Sequence, residues 1–332
     1  MINNFEIKNY KCFKDFKVEG LSQINIISGK NNVGKTALLE SIYLMQNYKW
    51  EALELFSLEV LWDIAQNRDI DKKGFINFLK NINFCSIVND IFVSIEAKHI
   101  YQLDKKEKKY MKSFNEDYFN LLVIKINDSF DIYPIDKIDK YISNFLDNYI
   151  YINSSKSNYK KIANLYSNIQ SSGIQHKFLN YLQILDKNIV WIEPQLLDEK
   201  VYLRINLENP KQSFLSSELG EGTNRYIEIL GTILAGSIDT IFIDEIENGI
   251  HYSKLKDIWK AIIEIVQKEN IQLFVTTHDK ETIEALNEAS KELEYENITS
   301  IKLKKDKNNI IYPVIRKSSL FNTTIDCGMD IR

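Results

Sequence analysis

The segment Gly29-Lys30-Asn31-Asn32-Val33-Gly34-Lys35-Thr36 constrains the fold of this chain more than any other. It satisfies G-x-x-x-x-G-K-[ST] at every fixed position. It follows a compact apolar run at 24–28 (INIIS) and opens a stretch, 36–48, in which Leu38, Leu39, Ile42 and Met45 recur at helical spacing. A buried strand, a glycine-rich loop and a helix in that order predict a phosphate cradle. Gly29 and Gly34 let the backbone curl, so that the loop through Asn31, Asn32 and Val33 turns successive N–H groups toward phosphate oxygens. The N-terminus of the following helix adds a dipole favourable to an anion. Lys35 is placed to bridge the β- and γ-phosphates of a nucleoside triphosphate, and Thr36 to offer its hydroxyl to Mg²⁺.

Three later segments carry matching chemistry. Thr240-Ile241-Phe242-Ile243-Asp244-Glu245 is an apolar strand ending in two acids. Asp244 would hold Mg²⁺, directly or through its water shell, and Glu245, one residue on, would polarise the attacking water. The next apolar strand, from Gln272, ends in Thr276-Thr277-His278-Asp279, which places His278 as a γ-phosphate sensor. Glu218-Leu219-Gly220-Glu221-Gly222 precedes a helical run at 224–234, and a glycine-rich turn opening a helix is again a phosphate-binding shape. Glu247 and His251, in IENGIHY, read as structural or interfacial residues.

The remainder of the chain supplies a frame. Residues 5–8 and 16–18 read as a hairpin, 51–65 and 76–79 as helical, 91–95 as a strand, and 105–109 (KKEKK) as a solvated charge run. A helical pattern covers 138–185, with breaks at 153–157 and 171–173. Strands follow at 189–192 and 201–205. The last part alternates strand and helix, at 240–243, 253–266, 272–277 and 282–292, which implies a parallel sheet. A hairpin is expected at 298–303 and 310–315.

Composition excludes several alternatives. A net charge of −4 argues against a protein that coats nucleic acid with its whole surface, though not against a local basic groove. Three cysteines without C-x-x-C spacing make a disulfide framework or structural zinc site improbable and fit a reducing cytoplasm. No apolar run approaches the ~18 residues of a membrane span.

GKNNVGKT, LGEGTNR, IFIDEIENGIHY and TTHDKE, in that order, resemble the ABC-type ATPases of the SMC/RecF/OLD group. The resemblance is closest to small stand-alone "AAA family" ATPases of bacterial defence loci, and IKNYKCFKDFKV and IDCGMDIR share it. It implies an α/β P-loop NTPase, an ABC-type ATPase head formed by 1–49 and 187–332, interrupted by a mainly helical insertion at 50–186. It makes 29–36 the Walker A motif, Asp244 and Glu245 Walker B, and Gly220, Glu221 and Gly222 part of the signature motif, with Glu218 where such motifs usually carry serine. His278 becomes the switch histidine. ATP and Mg²⁺ are the implied ligands, and a head-to-tail homodimer in antiviral defence is the implied assembly. OLD-type nucleases continue into a Toprim domain. The short tail beyond His278 reads as a helix and a hairpin, so an effector of that kind is expected on a separate chain. Two other readings stay open: a RecF-like DNA-repair ATPase binding DNA through 105–109 or 302–307, and a nucleotide-sensing scaffold with negligible hydrolysis.

Overall fold

The computed structural model describes residues 1–45, 53–66, 68, 70–88, 91–111, 120–137, 151–155, 159–197, 200–235 and 239–326. The expected helix end at 46–48, the helical pattern at 138–150, the end of the break at 156–157 and the tail at 327–332 lie outside these residues.

The chain opens with a hairpin, β1 (Asn4–Tyr10) and β2 (Phe13–Glu19), and passes through β3 (Ile24–Ser28) into α1 (Lys35–Met45). Helices α2 (Leu53–Gln66) and α3 (Lys72–Lys80) lead to β4 (Asn83–Val88), β5 (Ile91–His99), α4 (Lys105–Met111), β6 (Asn120–Ile126), β7 (Ser129–Pro134) and β8 (Tyr151–Ile152). Then come α5 (Tyr159–Ser171), α6 (Gln175–Leu182) and three antiparallel strands, β9 (Ile189–Leu197), β10 (Lys200–Leu207) and β11 (Gln212–Leu215). The final part is α7 (Glu221–Leu234), β12 (Thr240–Ile243), α8 (Tyr252–Glu269), β13 (Gln272–Thr276), α9 (Lys280–Glu292), β14 (Ile298–Lys305), β15 (Ile311–Lys317) and α10 (Ser318–Asp326).

The central sheet has the order β15-β14-β3-β13-β12-β8 and is parallel apart from β15. It is covered on both faces, which is why INIIS and TIFI are nearly unbroken apolar runs. Successive side chains serve opposite cores. Ile24, Ile26, Ile241, Ile243, Leu273 and Val275 pack with Tyr226 of α7 and Trp259 of α8. Ile27, Phe242 and Phe274 pack with Leu38 and Ile42 of α1 and with Phe5 and Phe16 of the hairpin. The Phe242 and Phe274 rings stack at 5.5 Å.

Residues 50–186, expected to be mainly helical with a strand at 91–95, hold both helices and a group of strands among the described residues. Helices α2 to α6 are present, but β4 to β7 extend the hairpin into an antiparallel sheet of order β2-β1-β4-β5-β6-β7, and β8 joins the central sheet. Phe84, Val93 and Ile124 of this segment share one core with Phe5 and Leu38. The reason is pairing: a short apolar run such as NLLVIKI suits a buried helix or a strand, and only a partner strand decides between them. The charge run at 105–109 forms most of α4. Its lysines face water, while Glu107 is buried against Lys98 and Lys125 at 2.8 Å each. Among the described residues no helix is long and apolar enough to cross a membrane.

Candidate active site

Parallel register brings three strand ends together. Thr276 lies opposite Ile27, and Ile243 opposite Val275, so the carboxyl ends of β3, β13 and β12 are neighbours. In open α/β sheets that edge is where ligands bind. The loop after β3 carries Gly29 to Gly34, the turn after β12 carries Asp244 and Glu245, and β13 leads to His278. Asn31, Asn32, Gly34, Lys35, Thr36, Asp244, Glu245 and His278 line one cleft of about 870 Å³.

The loop has the shape its sequence promised. Gly34 has φ +103, and a Cβ there would sit 2.7 Å from Cys12 Sγ, so no other residue fits without strain. Val33 is buried and supports the loop from beneath against Gly29. The Lys35 ammonium donates to the carbonyls of Gly29 at 3.0 Å and Lys30 at 3.3 Å, which folds it back over the loop. Burial lowers the Lys35 pKa, against the opposing pull of Glu245, Asp244 and Glu247.

Asp244 and Thr36 meet across the cleft. The Thr36 hydroxyl donates to both carboxylate oxygens, at 3.1 and 3.0 Å, and the Thr276 hydroxyl donates to Oδ1 at 2.5 Å. Burial holds the Asp244 carboxyl above its ordinary range, and the two hydroxyls pull it back. A desolvated carboxylate beside a threonine hydroxyl is a hard-oxygen pair that suits Mg²⁺. Among the described residues no group of three or more His, Cys, Asp or Glu could hold a metal. An Mg²⁺ at Asp244 and Thr36 would take its other ligands from phosphate and water.

Glu245 adopts φ +50, a left-handed conformation unusual for a glutamate, at the head of the turn after β12. Three contacts hold it there. Its backbone N–H donates to Thr276 Oγ1 at 2.8 Å, Asn248 Nδ2 donates to Oε2 at 3.1 Å, and Arg225 donates to its carbonyl at 3.3 Å. Arg225, on α7, is 1% exposed and also donates to the carbonyls of Asp244 and Asn153. Sequence reasoning missed Arg225 as a site residue, and its only signal was a place inside LGEGTNR. His278 is 43% exposed, with Nδ1 3.5 Å from Glu245 Oε1 and 3.1 Å from Glu247 Oε1.

Gly220, Glu221 and Gly222 do not line this cleft. Gly220 caps α7, Glu221 begins it, and Gly222 packs against the turn after Glu245. A Cβ on Gly222 would lie 1.9 Å from the Gly249 carbonyl oxygen, so the two backbones meet only because both residues are glycine.

Glu40 was also missed. It lies on α1, is 2% exposed, and receives Lys11 of the β1–β2 turn, the Arg68 guanidinium at 2.5 and 3.0 Å, and the Tyr10 hydroxyl at 3.5 Å. It thus ties the hairpin and the chain after α2 to the helix that starts at Lys35. Glu40→Gln removes the charge and keeps the shape. Unfolding free energy should fall by roughly 1.5–3 kcal/mol, toward the lower end because Lys11 and Arg68 can turn to water. Urea denaturation reads this as a lower midpoint with an unchanged slope, and an unmoved midpoint would refute the tie.

Residues 24–284 match the protein family described as "AAA domain, putative AbiEii toxin, Type IV TA system". The chain belongs to that family. An "ATP/GTP phosphatase" of Helicobacter pylori is 26% identical over 361 residues, covering 94% of this chain and 95% of the relative. "Uncharacterized protein MJECL10" of Methanocaldococcus jannaschii is 32% identical over 134 residues, 39% of this chain and 49% of that protein. Among solved structures, an Smc head bound to the C-winged helix domain of ScpA aligns with TM-score 0.51 at 12% identity, over 95% of this chain and 97% of that one. A Smc head of Pyrococcus furiosus with an extended coiled coil, bound to the C-terminal domain of ScpA, aligns with TM-score 0.50 at 10% identity, over 98% of each chain. The fold is that of an α/β P-loop NTPase of the ABC type, built like an SMC head.

Proposed function

We propose that this member of the family is an Mg²⁺-dependent ATPase that works as a switch by closing head to tail on a second copy. One observation carries the reading: the Lys35 ammonium, the Thr36–Asp244 pair, the Glu245 carboxylate and the His278 ring converge on one cleft. Backbone N–H groups of the loop and Lys35 bind the β- and γ-phosphates. Thr36 and Asp244 would hold Mg²⁺, which would supply positive charge to the phosphate oxygens. Glu245 takes a proton from water as the water oxygen bonds to the γ-phosphorus and the bond to the β-phosphate oxygen breaks, leaving ADP and phosphate. His278 marks the γ-phosphate position.

Support for the dimer comes from the glycine turn before α7. Gly220 to Gly222 form the N-terminus of α7 and do not line their own cleft. In a second copy turned head to tail, those N–H groups can cover the exposed γ-phosphate. With Mg²⁺ and ATP, Glu245→Gln should accumulate a species of about twice the monomer mass by light scattering. An identical mass with and without ATP would remove the switch from the proposal. A cytoplasmic role in antiviral defence, with a separately encoded Toprim-type nuclease as effector, is supported by the resemblance to defence-locus ATPases. That a related head is solved with ScpA gives precedent for a head that carries another chain.

One observation favours the DNA-repair reading. A recess of about 500 Å³ beside the loop is lined by Lys30, Lys302, Lys304 and Lys305 with no acid on its walls. Binding of DNA by the purified chain, weakening steeply with salt, would favour that reading over the defence one.

A further inference from the structure

We propose that Glu247 is a positioning residue for hydrolysis, which holds the His278 ring in place and so leaves Glu245 free to act on water. The inference rests on the ATPase reading of the cleft and extends it to a residue with no assigned role.

The geometry is specific. Glu247 sits in the turn that follows Glu245, its side chain only 10% exposed. Its Oε1 accepts a hydrogen bond from the His278 backbone N–H at 3.0 Å and lies 3.1 Å from the ring Nδ1 of the same residue. One carboxylate oxygen therefore pins both the chain leaving β13 and the ring on it. Burial raises the Glu247 pKa, and the His278 backbone hydrogen bond opposes that rise.

His278 needs such a hold. It lies just past the end of β13 and its side chain is 43% exposed, so local packing does not fix its torsions. Where the Glu247 carboxyl is ionised it can only accept, so a contact at 3.1 Å favours a proton on Nδ1. The same Nδ1 is 3.5 Å from Glu245 Oε1. Without Glu247, that carboxylate is the acid still within 4 Å of Nδ1 among the described residues, and a hydrogen bond from the ring would compete with water for it. Glu245 is instead held through Oε2 by Asn248 at 3.1 Å, which leaves Oε1 on the ring side less engaged. The turn after β12 thus divides the work: Glu247 holds the histidine, Asn248 holds the glutamate, and Glu245 does the chemistry. Outer partners that orient metal-bound histidines are worth about 10- to 100-fold in activity, which sets the scale expected here.

The test is a double-mutant cycle on ATP hydrolysis with Mg²⁺. Glu247→Ala should lower kcat by about 10- to 100-fold while KM for ATP changes by less than about threefold. Glu247→Gln keeps an acceptor oxygen and should recover most of the loss. It also covers the case in which the alanine variant fails to fold. In a His278→Ala background, Glu247→Ala should cost little more, because its effect passes through the ring. A full second loss in that background, or a rise in KM with kcat intact, would overturn the proposal. A separate reading needs no activity: ¹⁵N spectra of the histidines in ATP-free protein should show a hydrogen-bonded Nδ1–H at His278 that Glu247→Ala abolishes. If that signal behaves as expected and no variant hydrolyses ATP, the ATPase reading fails and the contact stands. If wild type hydrolyses ATP and the signal is indifferent to Glu247, the positioning role fails alone.

Discussion

Glu245→Gln will bind ATP as tightly as wild type and hydrolyse it about 10²–10⁴ times more slowly, the usual contribution of a positioned general base. The amide has the same shape, so the contacts that set the left-handed turn survive. The Glu245 N–H still meets Thr276, Arg225 still meets the carbonyl, and Asn248 can still donate to the side-chain oxygen. Only the capacity to take a proton is lost. Phosphate release under saturating ATP and Mg²⁺, paired with equilibrium nucleotide binding, separates the two effects. Equal turnover in the two proteins would remove Glu245 from the chemistry.

Lys35→Ala will act on the other arm of the mechanism, binding. The ammonium is the cation that the loop itself would bring to the phosphates. It donates to the carbonyls of Gly29 and Lys30, partners that phosphate oxygens would replace. A hydrogen bond to a charged group is worth about 1.5–3 kcal/mol, so ATP affinity should fall roughly 10- to 100-fold. Fold stability should hardly move, since the lost contacts are carbonyl hydrogen bonds with water as a ready substitute. Calorimetric titration with ATP and Mg²⁺ measures the affinity, and an unchanged Kd would show that Lys35 does not reach the phosphates.

The two variants separate residues that were legible before any coordinates from the surroundings that make them work. Lys35, Thr36, Asp244, Glu245 and His278 each sit at a strand end or loop whose pattern is local, a few apolar residues followed by a glycine or an acid. Arg225 and Glu247 share those short segments, but nothing in spacing distinguishes a buried arginine or a ring-holding glutamate from a solvent-facing one. Glu40 falls on a helix that was foreseen, yet its role depends on Arg68, 28 positions away, and Lys11, 29 positions back.

Sequence alone determined the chemistry-bearing elements: the loop at 29–36, the acidic end of β12, the histidine after β13 and the parallel alternation around them. These are local because glycine torsions, strand burial and helix starts are set by neighbouring residues. Tertiary structure decided the rest. It paired β4 with β1, Val88 opposite Phe5, and so placed β4 to β7, within a segment expected to be mainly helical, in a sheet sharing one core with α1. It also brought Thr36 to Asp244 across 208 positions and Glu247 to His278 across 31. Such contacts depend on strand order and register, which arise from burying two sheet faces at once, and no window along the chain contains that information.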